Sequence, residues 1–143
     1  MSLTSNQYQL LASLKQVARE AGESGRALTS LIGELSACES LGLVWQPSPG
    51  FDAVGPIGKR FQIKSRKSWT TEKVNPLGRL GRFGKKGKYD FDEGILIELD
   101  SRYDISGIWQ LDREKIELLE SKEAEGRGLH IHTFQKAAAE VHY

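Results

Sequence analysis

Cysteine is nearly missing from this chain. Cys38 is the single one, which excludes an intrachain disulfide and makes a reducing cytoplasm the expected home. Long apolar runs are missing too. The first 30 residues hold no signal-peptide apolar stretch, and nowhere do 18 apolar residues follow one another, so no membrane span or membrane partner is expected. There is no internal repeat. A hydrophobic fraction of 38% and a charged fraction of 27% over 143 residues support a modest core and argue against disorder, so one domain over 1–143 is expected.

Acid is scarce in one stretch. Residues 58–88 hold eleven Lys or Arg and one acid, whereas the other 112 residues hold nine Lys or Arg and eighteen acids. A segment of charge +10 is thus joined to a remainder of −9, although the formal net charge is only +1. This segregation points to a polyanion, and nucleic acid is the expected partner. Two other readings stay open: a solvated basic loop that docks on the protein's own acidic surface, or a docking surface for an acidic protein, including a second copy in a homodimer.

Apolar spacing at Leu10, Leu11, Leu14, Val17, Ala18 and Ala21 predicts a helix over 5–20, ended by Gly22 and Gly25. Ala27, Leu28, Leu31, Ile32, Leu35 and Cys38 predict a second over 25–41, with Gly42 as its stop. Strands are expected at "LGLVWQ", in the two arms of a hairpin over 50–65, at "EGILIEL" (93–99) and at "ISGIWQL". Asp112 is the expected N-cap of a helix reaching about Glu120, "GLHIH" an edge strand, and Thr133 the cap of a last helix through Val141. The fold class is therefore mixed α/β (α+β): a central mixed sheet flanked by helices, with no legible strand order. A Gly-rich basic loop at about 66–90 has no apolar periodicity, so function or disorder must account for it.

The hairpin carries the chemistry. Pro56 favours the first corner of a type I turn and Gly58 the left-handed position that closes a three-residue loop. Pairing Gly55 with Lys59 then sets Ala53 opposite Phe61 and Asp52 opposite Gln62, with Lys64 on the same face as Asp52 and Gln62. Phe51, Ala53, Phe61 and Ile63 fall on the other face, able to pack in a core. A carboxylate, an amide oxygen, the Ile63 main-chain carbonyl and an ammonium in one cluster suit a hard cation such as Mg²⁺, with Lys64 beside the attacking water. The alternative is an exposed hairpin whose polar face meets solvent.

Asp52 followed by Gln62-Ile63-Lys64 resembles the D…(D/E)xK signature of the restriction-endonuclease-like, or PD-(D/E)XK, nuclease superfamily, with Gln62 in place of the usual second acid. More loosely, Gly33 to Trp109, with "GRLGRFGKKGKYDFDEGILIELD", is similar to small bacterial domains of uncharacterised function grouped with it. The resemblance implies a restriction-endonuclease-like fold, DNA phosphodiester hydrolysis with Mg²⁺ or Mn²⁺, and a glutamate on the helix before the first strand. Glu34 of "GEL" stands in that place. The implied site is Glu34, Asp52, Gln62 and Lys64, with Glu34, Asp52, Gln62 and Ile63 holding the metal. A module of this fold that binds nucleic acid without cutting it is the alternative.

In "GRLGRFGKKGK" glycines alternate with cations, so a supple backbone can follow a phosphate chain and fold on binding. Arg66, Lys67, Arg79, Arg82, Lys85, Lys86 and Lys88 are the expected phosphate contacts, with Phe83 stacking on a base or tucked into the core. Trp69 lies among these cations and is a further base contact; Trp45 and Trp109 read as core. No Gly-Lys-Ser/Thr ending makes this a P-loop. His130 and His132 share one side of the expected edge strand but supply only two ligands, too few for zinc. Cys38 reads as core.

Overall fold

In the computed structural model, which describes residues 3–21, 26–68 and 78–143, the first helix opens on a reciprocal cap. The Gln7 amide donates to Thr4 Oγ1 and the Thr4 amide to Gln7 Oε1, each at 3.1 Å, ahead of α1 (Ser5–Ala21). The second helix, α2 (Arg26–Leu41), stops where Gly42 takes φ +70° and the Leu43 amide turns back to the Cys38 carbonyl at 3.0 Å. Then come β1 (Val44–Ser48), β2 (Phe51–Val54) and β3 (Arg60–Lys67). Next to the turn the hairpin register is the expected one: Gly55 N–H donates to the Lys59 carbonyl at 2.8 Å, Ala53 faces Phe61, Val54 faces Arg60, and Gly58 sits at φ +82°. The expected pairing of Asp52 with Gln62 is corrected, because the ladder ends at Ala53 and the Asp52 side chain takes the Ile63 amide.

The strand β4 (Glu93–Leu99) runs parallel to β3, and β5 (Ile105–Asp112) returns antiparallel to β4. Asp112 caps α3 (Arg113–Ser121) by accepting the Lys115 amide at 2.9 Å. The chain ends with α4 (Ile131–Ala137) and β6 (Ala139–Glu140). Among the described residues the six strands form one mixed sheet in the order β1-β2-β3-β4-β5-β6. The class is the expected mixed α+β one.

Two cores flank the sheet. On one face α1 and α2 bring Leu11, Ile32, Leu35 and Cys38 onto Ala53, Phe61, Ile63, Ile95 and Ile97. On the other, Leu80, Phe83 and Phe91 from the β3–β4 connection join Ile116, Ile131 and Phe134 over Leu96, Trp109 and Leu111. Strand β4 is covered on both sides, which is why "EGILIEL" is almost continuously apolar. Among the described residues no helix is long and apolar enough to cross a membrane.

The stretch without periodicity is thereby explained. A parallel pair needs a crossover of a dozen residues or more, and the chain between Lys67 and Glu93 makes that crossover. Its described part, from Gly78, lies against the second core, so the expected loop that folds only on binding is corrected: burial of Leu80, Phe83 and Phe91 holds it.

Three other expectations are corrected. "GLHIH" is not an edge strand, and the last helix neither starts at Thr133 nor reaches Val141. His130 precedes the helix, where it bridges Arg79, while Ile131 and Phe134, three residues apart, bury one face of α4 in the second core. After Ala138 the chain pairs with β5, and the Val141 amide donates to the Ile108 carbonyl at 2.8 Å. Phe51 does not join Ala53 and Phe61: it packs against the second core, beneath the Arg60 guanidinium at 5.9 Å.

Candidate metal and nucleic-acid site

Phe51 departs from the expected face because β2 peels away from β3 after Ala53. A continued ladder would give the Ile63 amide to the Phe51 carbonyl; instead Asp52 Oδ2 accepts it at 2.8 Å. Beyond Phe61, β3 therefore keeps β4 on one edge and, among the described residues, has an open edge on the other. By alternation Ile63, Ser65 and Lys67 turn their main-chain groups to that open edge. A cavity of about 680 Å³ runs along it, lined by Glu34, Asp52, Gln62, Ile63 and Lys64 at one end. All five residues of the expected metal and lysine set meet here.

Gln62 and Lys64 pair across β3–β4 with Gly94 and Leu96, so both side chains lie on the face of the second core. Lys64 Nζ reaches over the Phe83 ring, 5.5 Å from its centroid. Glu34 comes from α2 and takes the Trp45 indole N–H on Oε1 at 3.3 Å. The Glu34 and Asp52 carboxyls line the same end of the cavity.

Burial, followed by the nearby Asp52 charge, pushes the Glu34 carboxyl up to about 7. Burial also raises Asp52, against the opposing effects of the Ile63 amide and Lys64. Lys64 is lowered, first by burial and then by the ammonium of Lys85. These two carboxyls thus hold protons more tightly than usual and the lysine more loosely, which is the signature of a buried charge cluster short of positive charge at its acid end.

Gln62 is 8% exposed, and its Oε1 is buried with no donor among the described residues. An unsatisfied acceptor in a cavity that two carboxyls also line is what a divalent cation would complete, so the residues fit such an ion. Among the described residues no three His, Cys, Asp or Glu side chains form a metal cluster. The candidate set is two carboxylates, an amide oxygen and a main-chain carbonyl.

The basic loop meets this site through Lys85, which lines the same cavity. What fixes the loop is Glu120, wholly buried on α3, which takes the Phe83 amide at 2.7 Å, the Gly84 amide at 3.1 Å and the Tyr89 hydroxyl at 2.8 Å. At Gly84 a Cβ would sit 2.1 Å from the Tyr89 ring, so only glycine admits that ring. A tight turn follows, with Lys86 and Gly87 at φ 52° and 74° and the Lys88 amide on the Lys85 carbonyl at 3.0 Å.

Phe83 is 2% exposed and stacks on Phe134 at 5.5 Å, which corrects the base-stacking role and leaves the core role. Arg79 donates to Glu123 at 2.6 Å and to the Gly128 carbonyl at 2.8 Å. Arg82 donates to the Arg127 carbonyl at 2.9 Å and lies 3.9 Å from Glu120. These two arginines dock on the protein's own carbonyls and acids, while Lys85, Lys86 and Lys88 are exposed. Arg66 and Lys67 line the cavity, Lys67 Nζ standing 4.5 Å from the Tyr103 centroid. Trp69 lies outside the described residues.

The His130 and His132 rings stack at 5.4 Å at the start of α4, far from a strand arrangement. Cys38 is buried, its thiol pushed up to about 12 by burial, so it is inert core. Trp109 is core, and Trp45 is half-buried against the first core.

Glu120 and the inward turn of Lys85 escaped the sequence. One signal for Glu120 was available: it follows Ile116 by four residues and so shares its buried helix face. Neither a protein-family model nor a curated protein matches the chain.

Proposed function

We propose that this chain is a metal-dependent nuclease of the PD-(D/E)XK kind that hydrolyses phosphodiester bonds of DNA. The observation that carries this reading is the convergence of Glu34, Asp52 and the unsatisfied Gln62 Oε1 with Lys64 in one cavity on the open edge of β3. Held by Glu34, Asp52, Gln62 Oε1 and the Ile63 carbonyl, Mg²⁺ or Mn²⁺ would supply Lewis-acid polarisation of the phosphoryl group and ease deprotonation of a water.

The chain's own residues do the rest. Hydrolysis forms a bond from a water oxygen to phosphorus and breaks the P–O ester bond; the water loses a proton and the leaving oxygen gains one. Lys64 and Lys85 offset the negative charge that builds on the phosphoryl oxygens. Burial and the Lys85 ammonium lower the proton affinity of Lys64, which makes it a readier proton donor. Asp52 keeps the cluster in place by tying its carboxylate to the Ile63 amide. Lys86 and Lys88, exposed at the turn, meet the backbone of the nucleic acid.

The neutral Gln62 favours a second reading, a module that binds nucleic acid and does not cut it. Cleavage of linear and plasmid DNA with and without Mg²⁺, by wild type and Asp52→Ala, separates the two. Metal-dependent cutting lost in the variant supports the nuclease; equal cutting by both excludes it.

A further inference from the structure

Three residues that line the cavity each carry a buried polar atom that lacks a partner among the described residues: Gln62 Oε1, Ser65 Oγ and Arg66 Nη1. They differ in sign. Gln62 Oε1 accepts only, and sits with the carboxyls. Arg66 Nη1 donates only, and the Ser65 hydroxyl can donate. The cavity therefore has an acceptor end that lacks a cation and a donor end that lacks an anion.

The two ends are one step apart on both walls. Arg66 follows Lys64 by two residues on the same face of β3, about 6.6 Å along a strand. Ser30, which also lines the cavity, precedes Glu34 by one turn of α2, about 6 Å. Gly33 holds these walls together: a Cβ there would fall 1.9 Å from Ser65 Oγ. That step matches the spacing of successive phosphates on an extended nucleic-acid strand. The counter-charge of Arg66 is Glu98, 2% exposed, but at 3.9 Å the pair is an ion pair without a hydrogen bond from Nη1. Arg66 is thus charge-balanced and still has donors to give.

We infer that Arg66 and Ser65, with Ser30 opposite, form an anion subsite that holds the phosphate next to the one hydrolysed. The inference deepens the nuclease reading and rests on it for the strand's identity; the anion chemistry stands without it. A planar guanidinium fork suits a phosphate's tetrahedral oxygens, and the Ser65 amide, turned to the edge of β3, adds a donor from the main chain, while the Ser65 hydroxyl lies on the other face of the strand, against Gly33.

Inorganic phosphate is the first probe. Its addition to wild-type protein should move the Arg66 side-chain Nε–Hε resonance with one-site saturation; an unmoved resonance overturns the subsite. Because Arg66→Gln leaves Glu98 buried and uncompensated, the variant to use is Arg66→Gln/Glu98→Gln, with circular dichroism as the check on folding. It should bind phosphate about tenfold more weakly than wild type, and equal affinity overturns the proposal.

The second probe is a DNA oligonucleotide bound in Ca²⁺, with one phosphate at a time replaced by an uncharged methylphosphonate. Wild type should lose affinity at the position next to the cut, and the double variant should be indifferent there. Phosphate binding that depends on Arg66 in a protein that never cuts DNA would leave the subsite standing and remove the nuclease. Asp52-dependent cutting with no effect of Arg66 on either probe would do the reverse.

Discussion

The Glu120 carboxylate accepts the Phe83 amide at 2.7 Å, across 37 residues of chain. That bond, with those from Gly84 and Tyr89, fixes the described part of the crossover, from Gly78, and carries Lys85 to the site. A buried carboxylate with three donors is stable because both of its oxygens accept; a neutral amide can accept at only one of its two heteroatoms.

Glu120→Gln should therefore destabilise the fold by about 1–3 kcal/mol, since at least one buried donor loses its acceptor. Urea unfolding measures this. Tyr89→Phe, which removes only the hydroxyl, should cost less, and the Tyr89 phenol, held up at about 12 by burial and Glu120, should titrate lower in Glu120→Gln. Unchanged stability in Glu120→Gln would mean that the crossover is held by its apolar side chains alone.

Stability should also depend on pH through Glu34. Its carboxyl is raised from 4.5 to about 7, so in that window the folded chain keeps a proton that the unfolded chain has lost. Stability then falls as pH rises through the window, and the full penalty is present above it. Glu34→Gln mimics the protonated form. In EDTA its Tm should match wild type below about pH 4.5, draw ahead through the window and exceed it fully at about pH 8. A Tm difference that does not change with pH would show that Glu34 carries no such penalty.

Salt dependence should separate the lysines from the arginines. Each phosphate neutralised contributes about −0.9 to the slope of log K against log salt, so Lys86→Ala/Lys88→Ala should flatten the slope by about 1.8 and leave kcat alone. Arg79 and Arg82 are tied to Glu123 and to the carbonyls of Gly128 and Arg127. Substituting them should lower Tm before it lowers DNA affinity. A slope unmoved by loss of Lys86 and Lys88 would remove the turn from the interface.

What the sequence made legible is what short-range chemistry decides. Pro56 and Gly58 set a three-residue loop, and the loop set the register that brings Asp52, Gln62 and Lys64 together. Asp112 and Gly42 end their elements by local bonds and were equally plain. What remained illegible depends on partners far along the chain. Phe51 changes face because Asp52 takes the Ile63 amide, and the chain turns helical at Ile131, inside "GLHIH", because Ile131 and Phe134 find a core assembled by Leu80, Phe83 and Trp109. The basic loop hid its order for the same reason: its organiser, Glu120, lies on another element.

Gln62 offers the sharpest test of what the acid end is for. It is 8% exposed, next to two carboxyls already raised by burial, so Gln62→Glu adds a third acid where no positive charge waits for it. Without metal the variant should melt lower than wild type, and more so above neutrality, where Glu34 also ionises. With a divalent ion the sign should reverse, because a charged oxygen replaces a neutral one among the ligands; Mg²⁺ affinity should rise roughly tenfold and the Tm deficit should close. Calorimetric Mg²⁺ titration and melting with and without EDTA measure both effects. A Tm deficit that Mg²⁺ does not repair, with no gain in affinity, would show that Gln62 Oε1 faces no cation and would sink the metal site from the side of its one neutral ligand.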